Sequence, residues 1–239
     1  MKRNTETQPQ YLTKTVTLPV SGLEAEIREG DGYAERILYG NNKPMREVLP
    51  EFWAHLTARL GETQPVSRDD ILGLTIPDQH VLAIEIYRLN YGDTLELAGT
   101  CDRCGEPAGY EVDLGKLPLM PLPADAVPPD PTFEVVLPRT GRRVKFGYVT
   151  GKDELENSSS GEFDTVRLNH RAIRTIDGAT VSYEEVRRLP LADQKALRKG
   201  ISSKVCGYDT TVRFVHQCGR RLVVDILTDP SFFMPGLVV

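Results

Sequence analysis

The chain has 239 residues, 40% of them hydrophobic and 26% charged, with a formal net charge of −5. That is enough for one large domain or two small ones around an ordinary core. No apolar run approaches the roughly 20 residues of a membrane span, and no basic run exceeds the pairs Arg142-Arg143 and Arg220-Arg221, so neither a membrane nor a nucleic acid is expected as a partner, and protein partners are.

At the amino terminus Lys2 and Arg3 are not followed by an apolar stretch. No secretory leader is expected, a cytoplasmic setting is favoured, and the four cysteines read as thiols or metal ligands. Val16-Thr17-Leu18-Pro19-Val20-Ser21-Gly22 predicts a β-hairpin, with Gly22 free to take a left-handed turn and Pro19 suited to a turn or strand edge. Phe52, Trp53, Leu56 and Leu60 form an amphipathic segment. Ser67-x-x-Asp70 has the form of a capping box and should start a short helix, a cap worth about 1 kcal/mol. Pro77 suits the first turn of a longer helix, whose Leu82, Ile86 and Leu89, with Val81 and Ile84 beside them, mark a core-facing stripe. Cys101-Asp102-Arg103-Cys104-Gly105 follows between β-prone residues 94–97 and 110–114. Residues 117–131, too dense in proline for a helix, should be an extended linker whose Leu117, Leu119, Met120 and Leu122 lie along a protein surface.

The same signals then recur. Val135-Val136-Leu137-Pro138-Arg139-Thr140-Gly141 repeats the first hairpin at a constant offset that also carries Gly32 and Glu35 onto Gly151 and Glu154. At a slightly shorter offset Val66-Ser67, Leu74, Asp78-Gln79 and Leu82 fall on Val181-Ser182, Leu189, Asp193-Gln194 and Leu197. Cys104-Gly105 and Val112-Asp113-Leu114 match Cys218-Gly219 and Val224-Asp225-Ile226. Ser182-x-x-Glu185 is a second capping box, Leu191, Leu197 and Ile201 a weaker second stripe, and the counterpart of the early amphipathic segment should fall near residues 166–173. Residues 154–162, with their serine run, are expected to be a mobile loop. The reading is an α+β fold made by tandem duplication of a β-hairpin/helical/zinc-ribbon-like unit: repeats at 12–116 and 132–229, the linker at 117–131 between them, and an apolar tail at 230–239.

The cysteine turns carry the candidate chemistry. Two thiolates converging from a tight turn are half of a structural zinc site, which takes four ligands in a tetrahedron. The second turn is degenerate, because Val215 stands three positions before Cys218, where a cysteine would complete the pattern. Two completions are open: Cys101, Cys104, Cys206 and Cys218, or the same set with His216 in place of Cys206. Strand alternation would point His216 away from Cys218, which favours Cys206. The bland alternative is a relic turn whose free cysteines pack as small apolar groups.

No enzymatic apparatus is legible. His55, His80 and His170 stand alone, Asp69-Asp70 and Glu184-Glu185 are explained by their place at helix starts, and neither a phosphate-binding loop nor a dinucleotide fingerprint is present. The ending crowds Phe232, Phe233, Met234, Leu237 and two valines into a place that is ordinarily polar. Such a tail either folds back on its own domain or serves as a hook that binds a partner.

The first hairpin with Arg28-Glu29-x-x-Gly32-Tyr33, the Cys101-x-x-Cys104-Gly105 knuckle, the Cys218-Gly219 turn and the Pro230-Ser231-Phe232-Phe233 ending together resemble the T4-type phage baseplate hub assembly proteins. The stretch from Ile176-Asp177-Gly178 through Leu189-Pro190-Leu191-Ala192-Asp193 is similar to tail assembly chaperones of Mu-like phages. The resemblance implies a virion-morphogenesis protein acting through protein contacts, a chaperone for the baseplate hub or the tape-measure protein. Its alternative is a structural baseplate subunit kept in the mature contractile tail. It places the chain in the host bacterial cytoplasm during assembly, or in the virion baseplate. Val215 departs from the usual second knuckle.

Overall fold

In the computed structural model, residues 11–40, 42–158, 164–233 and 235 are described. Gly22, at φ +70°, lets the chain reverse, its N–H donating to the Leu18 carbonyl at 3.0 Å. Strands β1 (Thr13–Thr17) and β2 (Glu24–Arg28) pair antiparallel on either side. Helix α1 (Gly32–Tyr39) begins at Asp31, whose carboxylate accepts from the N–H groups of Tyr33 and Ala34. Helix α2 (Met45–Leu56) runs directly into β3 (Thr57–Leu60), which pairs with the free edge of β2 to give the order β1-β2-β3. The capping box of Ser67 and Asp70 starts α3 (Arg68–Gly73). Helix α4 (Ile76–Tyr91) has proline in its first turn and stops at Gly92, φ +85°. A hairpin of β4 (Thr94–Thr100) and β5 (Pro107–Asp113) and a 3-10 turn at Leu114–Lys116 end this half.

The second half passes through the same sequence of elements. After β6 (Leu119–Met120) come β7 (Thr132–Val136), β8 (Arg143–Gly147), α5 (Gly151–Ser158), α6 (Thr165–Ala172) and β9 (Ile173–Ile176), with sheet order β7-β8-β9. Then come α7 (Tyr183–Arg187), capped by Ser182 and Glu185, α8 (Leu191–Ser202), β10 (Gly207–Tyr208) and the hairpin β11 (Thr211–Val215) with β12 (Arg221–Asp225). A 3-10 turn at Ile226–Thr228 and a short α9 (Pro230–Phe233) finish the chain's described part.

The correspondence reaches single hydrogen bonds. Asp78 on α4 accepts from the N–H groups of Val20 and Ser21 in the first hairpin turn at 2.7 and 3.1 Å, and Asp193 on α8 accepts from Arg139 and Thr140 at 2.7 and 3.2 Å. Gln79 donates to the Ile71 carbonyl at the end of α3, and Gln194 donates to the Val186 carbonyl in α7. Both three-stranded sheets carry a register shift in the middle strand, at Glu26/Ile27 and at Lys145/Phe146.

Two expectations are corrected. Residues 154–158 are not loop: Thr150 and Asp153 exchange hydrogen bonds that start α5, which then packs on α3, so tertiary contact overrides the polar composition. The remaining residues of that expected loop lie outside the described ones. Nor is the proline-rich stretch only a linker, because its Leu119 and Met120 form β6 and pair with β10 across the two halves.

Three apolar clusters hold the molecule. One lies between α4 and the β1-β2-β3 sheet and one under β7-β8-β9 with Leu197 of α8. The third gathers Ala83, Ile84 and Tyr87 of α4, Leu95, Leu97 and Val112 of the first hairpin, and Val212, Phe214 and Val224 of the second. The β11–β12 hairpin therefore packs on the first half's helix, which explains why α4 buries residues around most of its circumference. Among the described residues no helix is long and apolar enough to cross a membrane.

An ion cluster around the buried Glu85 joins the halves at α4. The Glu85 carboxylate receives Lys14, Arg88 at 2.9 Å, and the hydroxyl of Tyr208 from β10. Burial alone would raise the Glu85 pKa, but these donors and positive charges hold it below the ordinary glutamate value. A folded-state value below the unfolded one means that the stabilisation is complete above the ordinary value, about 4.3, and is lost as pH falls through the folded-state value. Thermal melts of wild type and Glu85→Gln should therefore differ at neutral pH, with wild type more stable, and converge once the pH has fallen through the lowered folded-state value. A gap that persists at acid pH would show that the cluster's contribution does not come from the ionised carboxylate.

Candidate metal centre

The two hairpin tips meet. Cys101 leaves β4, and its N–H donates to the Glu106 carbonyl at 2.9 Å; Gly105, at φ +73°, donates back to the Cys101 carbonyl. In the second hairpin His216 leaves β11 and donates to the Arg220 carbonyl at 2.8 Å, while Gly219, at φ +78°, donates to the His216 carbonyl. Thr100 pairs with Pro107, and Val215 pairs with Arg221. The second turn is thus one residue shorter than the first, and His216 stands where Cys101 stands. The pattern is Cys-x-x-Cys in one tip and His-x-Cys in the other.

One ligand atom from each of Cys101, Cys104, His216 and Cys218 lies within 4.8 Å of all the others. The Cys101 and Cys218 sulfurs are 3.7 Å apart, Cys104 Sγ is 3.6 Å from His216 Nδ1, and His216 Nδ1 is 3.2 Å from Cys218 Sγ. Tetrahedral zinc, with Zn–S about 2.3 Å and Zn–N about 2.0 Å, requires sulfur–sulfur edges of about 3.8 Å and sulfur–nitrogen edges of about 3.5 Å. Those three distances are close to the required edges and every other pair lies within 4.8 Å, while a disulfide, at about 2.05 Å, is not formed. These four side chains could hold a metal ion.

The outer contacts suit that use. His216 is buried, and its Nε2 donates to the Pro107 carbonyl at 3.3 Å, which leaves the lone pair on Nδ1, facing the thiols. Arg220 grips Asp102 through two hydrogen bonds, at 3.0 and 2.7 Å, and Arg103 reaches the Cys218 carbonyl at 3.4 Å, so each tip is tied to the other beside the cluster. Behind it Tyr110 and Phe214 stack at 4.2 Å. The Arg220 N–H and the neighbouring thiols hold the Cys218 thiol below the usual range. At Cys104 the Glu106 N–H has the same sense, but burial and the Cys101 and Cys218 thiols outweigh it and push that thiol up.

Cys206, the favoured fourth ligand from the sequence, is not brought to this cluster. It is buried between α8 and β10, in the wall of a cavity of about 350 Å3 shared with Tyr148 and Phe146, and burial pushes its thiol up. Strand alternation does not orient His216, which lies just past the paired residues of β11, in the turn. Counting from the strand end, instead of back from Cys218, is the signal that finds it.

The remaining histidines are dispersed. His55 lies 3.6 Å from Asp31, His80 is partly enclosed where the halves meet, its pKa lowered by burial, and His170 contacts the Val181 carbonyl at 3.0 Å. Two residues of the expected hook lie against the chain's own core. Phe232 is buried and stacks on Tyr87 with centroids 5.0 Å apart, and Phe233 packs edge-on against it, so both complete the chain's own core. Met234 and Leu237, the other expected contact residues, lie outside the described residues. Comparison with protein-family models, with curated proteins and with solved structures gave no match.

Proposed function

We propose that the chain is a duplicated α+β protein, with repeats at 12–116 and 132–229, whose two zinc-ribbon-like hairpin tips share one structural zinc. The observation that carries this is the four-ligand cluster with two ligands from each tip. Four protein ligands complete zinc's tetrahedron and leave no position for substrate or water, which supports an architectural ion over a catalytic one. The ion's task would be to hold the second hairpin on the first half.

On this scaffold the protein acts as an assembly factor without chemistry of its own, in a contractile-tailed phage or a tail-like particle, as a chaperone for the baseplate hub or tape-measure protein. The support is the likeness of its hairpin, knuckle and tail motifs to phage hub assembly proteins, together with an acidic chain in which Cys101, Cys104, His216 and Cys218 are gathered into one closed cluster. Affinity purification of the tagged chain from producing cells, set against purified mature particles, tests it. The chaperone reading expects the chain with unassembled hub or tape-measure protein and absent from particles. Its presence in particles would replace that reading with a structural subunit, and its presence with neither would remove the tail assignment.

A further inference from the structure

Inside the chain, the α3–α4 corner of the first half docks on the end of β8 in the second. Thr75 bridges to Thr150, the Ile76 N–H donates to the Val149 carbonyl at 3.0 Å, and the Gly151 N–H donates to the Leu74 carbonyl at 3.1 Å. Gly151 has to be glycine here, because a β-carbon would overlap the Gln79 carboxamide.

Each half carries both faces of this joint, but the chain uses only one of each. The matching corner in the second half is Leu189-Pro190-Leu191, and the matching receptor in the first half is Gly30-Asp31-Gly32. Leu191, the counterpart of Ile76, is 86% exposed. The Leu191 and Gly32 N–H groups, each at the first residue of a helix, and the Leu189 and Gly30 carbonyls have no partner among the described residues. Gly32 is the more telling position. Its backbone does not need glycine, since its φ is not positive, and nothing lies within 4 Å of where a β-carbon would sit. The glycine that its counterpart Gly151 needs for the joint is present at Gly32 with nothing among the described residues to require it. Beside it, the Leu72 and Leu155 that line the internal crevice are matched by Arg187, which pairs with Glu184 of its own helix at 3.4 Å, and by Arg36, so this part of the joint is charged where the internal one is apolar.

We propose that copies of this chain associate head to tail, the Leu189–Leu191 corner of one copy docking on the Gly30–Gly32 receptor of the next as the first half docks on the second. The contact is heterologous, so it builds open or ring-closed chains and not a two-fold dimer. It goes beyond the assembly reading and is independent of the metal, resting only on the positional match between the halves.

Sedimentation of the full chain over a concentration series tests it, with Leu191→Glu blocking the corner and Gly32→Gln blocking the receptor. Both sites are open, so both variants keep the fold, which circular dichroism checks. Wild type should gain mass with concentration, and each variant should weaken association by at least about tenfold. An equimolar mixture of the two variants should form a dimer and nothing larger, because it contains one intact corner and one intact receptor. A monomeric wild type at all concentrations, variants that associate like wild type, or a mixture that stays monomeric would each overturn the proposal.

Discussion

Replacing Cys101 with serine is expected to strip the metal and lower the unfolding midpoint by roughly 10 °C or more. The size follows from what the ion would tie together. Cys104 and His216 are 112 positions apart in the chain, and a cross-link closing a loop of about 100 residues removes up to about 4.7 kcal/mol of denatured-state freedom. For a chain of this length each kcal/mol moves the midpoint by about 2–4 °C. A strong chelator added to wild type should give the same midpoint, and Cys206→Ser should change neither the metal content nor the chelator effect, because Cys206 sits away from the cluster. Melts of the three proteins with and without chelator check this. A Cys101→Ser protein with an unchanged midpoint would mean that the hairpins hold together by Tyr110, Phe214 and the Arg220–Asp102 pair alone.

Asp78→Ala and Asp193→Ala should each cost about 3 kcal/mol, by similar amounts. Both carboxylates are fully buried, and each satisfies two backbone N–H groups of a hairpin turn, which alanine would leave without partners at about 1–3 kcal/mol apiece. Asp193 takes in addition the Thr140 hydroxyl at 2.8 Å, so its loss should be marginally the larger. Urea unfolding of the two variants measures this. A large penalty at one aspartate and none at the other would show that the matching bonds do not do matching work.

Much of this architecture was legible because it is local. Gly22 and Gly141 mark turns, Ser67 and Ser182 mark helix starts, and Asp78 and Asp193 recur at one offset, each a short-range instruction that reads directly from the chain. What escaped depends on distant partners. Strands β3 and β9 follow helices without a breaking residue, since Thr57 and Ile173 become strand only by pairing with β2 and β8. Helix α5 has few apolar residues and is fixed by its cap and its packing on α3, and β6 is a strand only because β10 lies beside it. The metal cluster was half legible. Cys101, Cys104 and Cys218 follow from spacing, but the choice between Cys206 and His216 depends on a turn shortened by one residue, which identity-based alignment of the two knuckles hides.

The proposed zinc would be shared by two knuckles, one from each half. Metal analysis of the purified full chain, joined to X-ray absorption at the metal edge, tests it most directly. One zinc per chain is expected, bound by three sulfurs at about 2.3 Å and one nitrogen at about 2.0 Å, unchanged by Cys206→Ser and lost or rearranged by His216→Ala. A protein that binds no zinc, or one whose zinc has four sulfurs and is disturbed by Cys206→Ser, would contradict it.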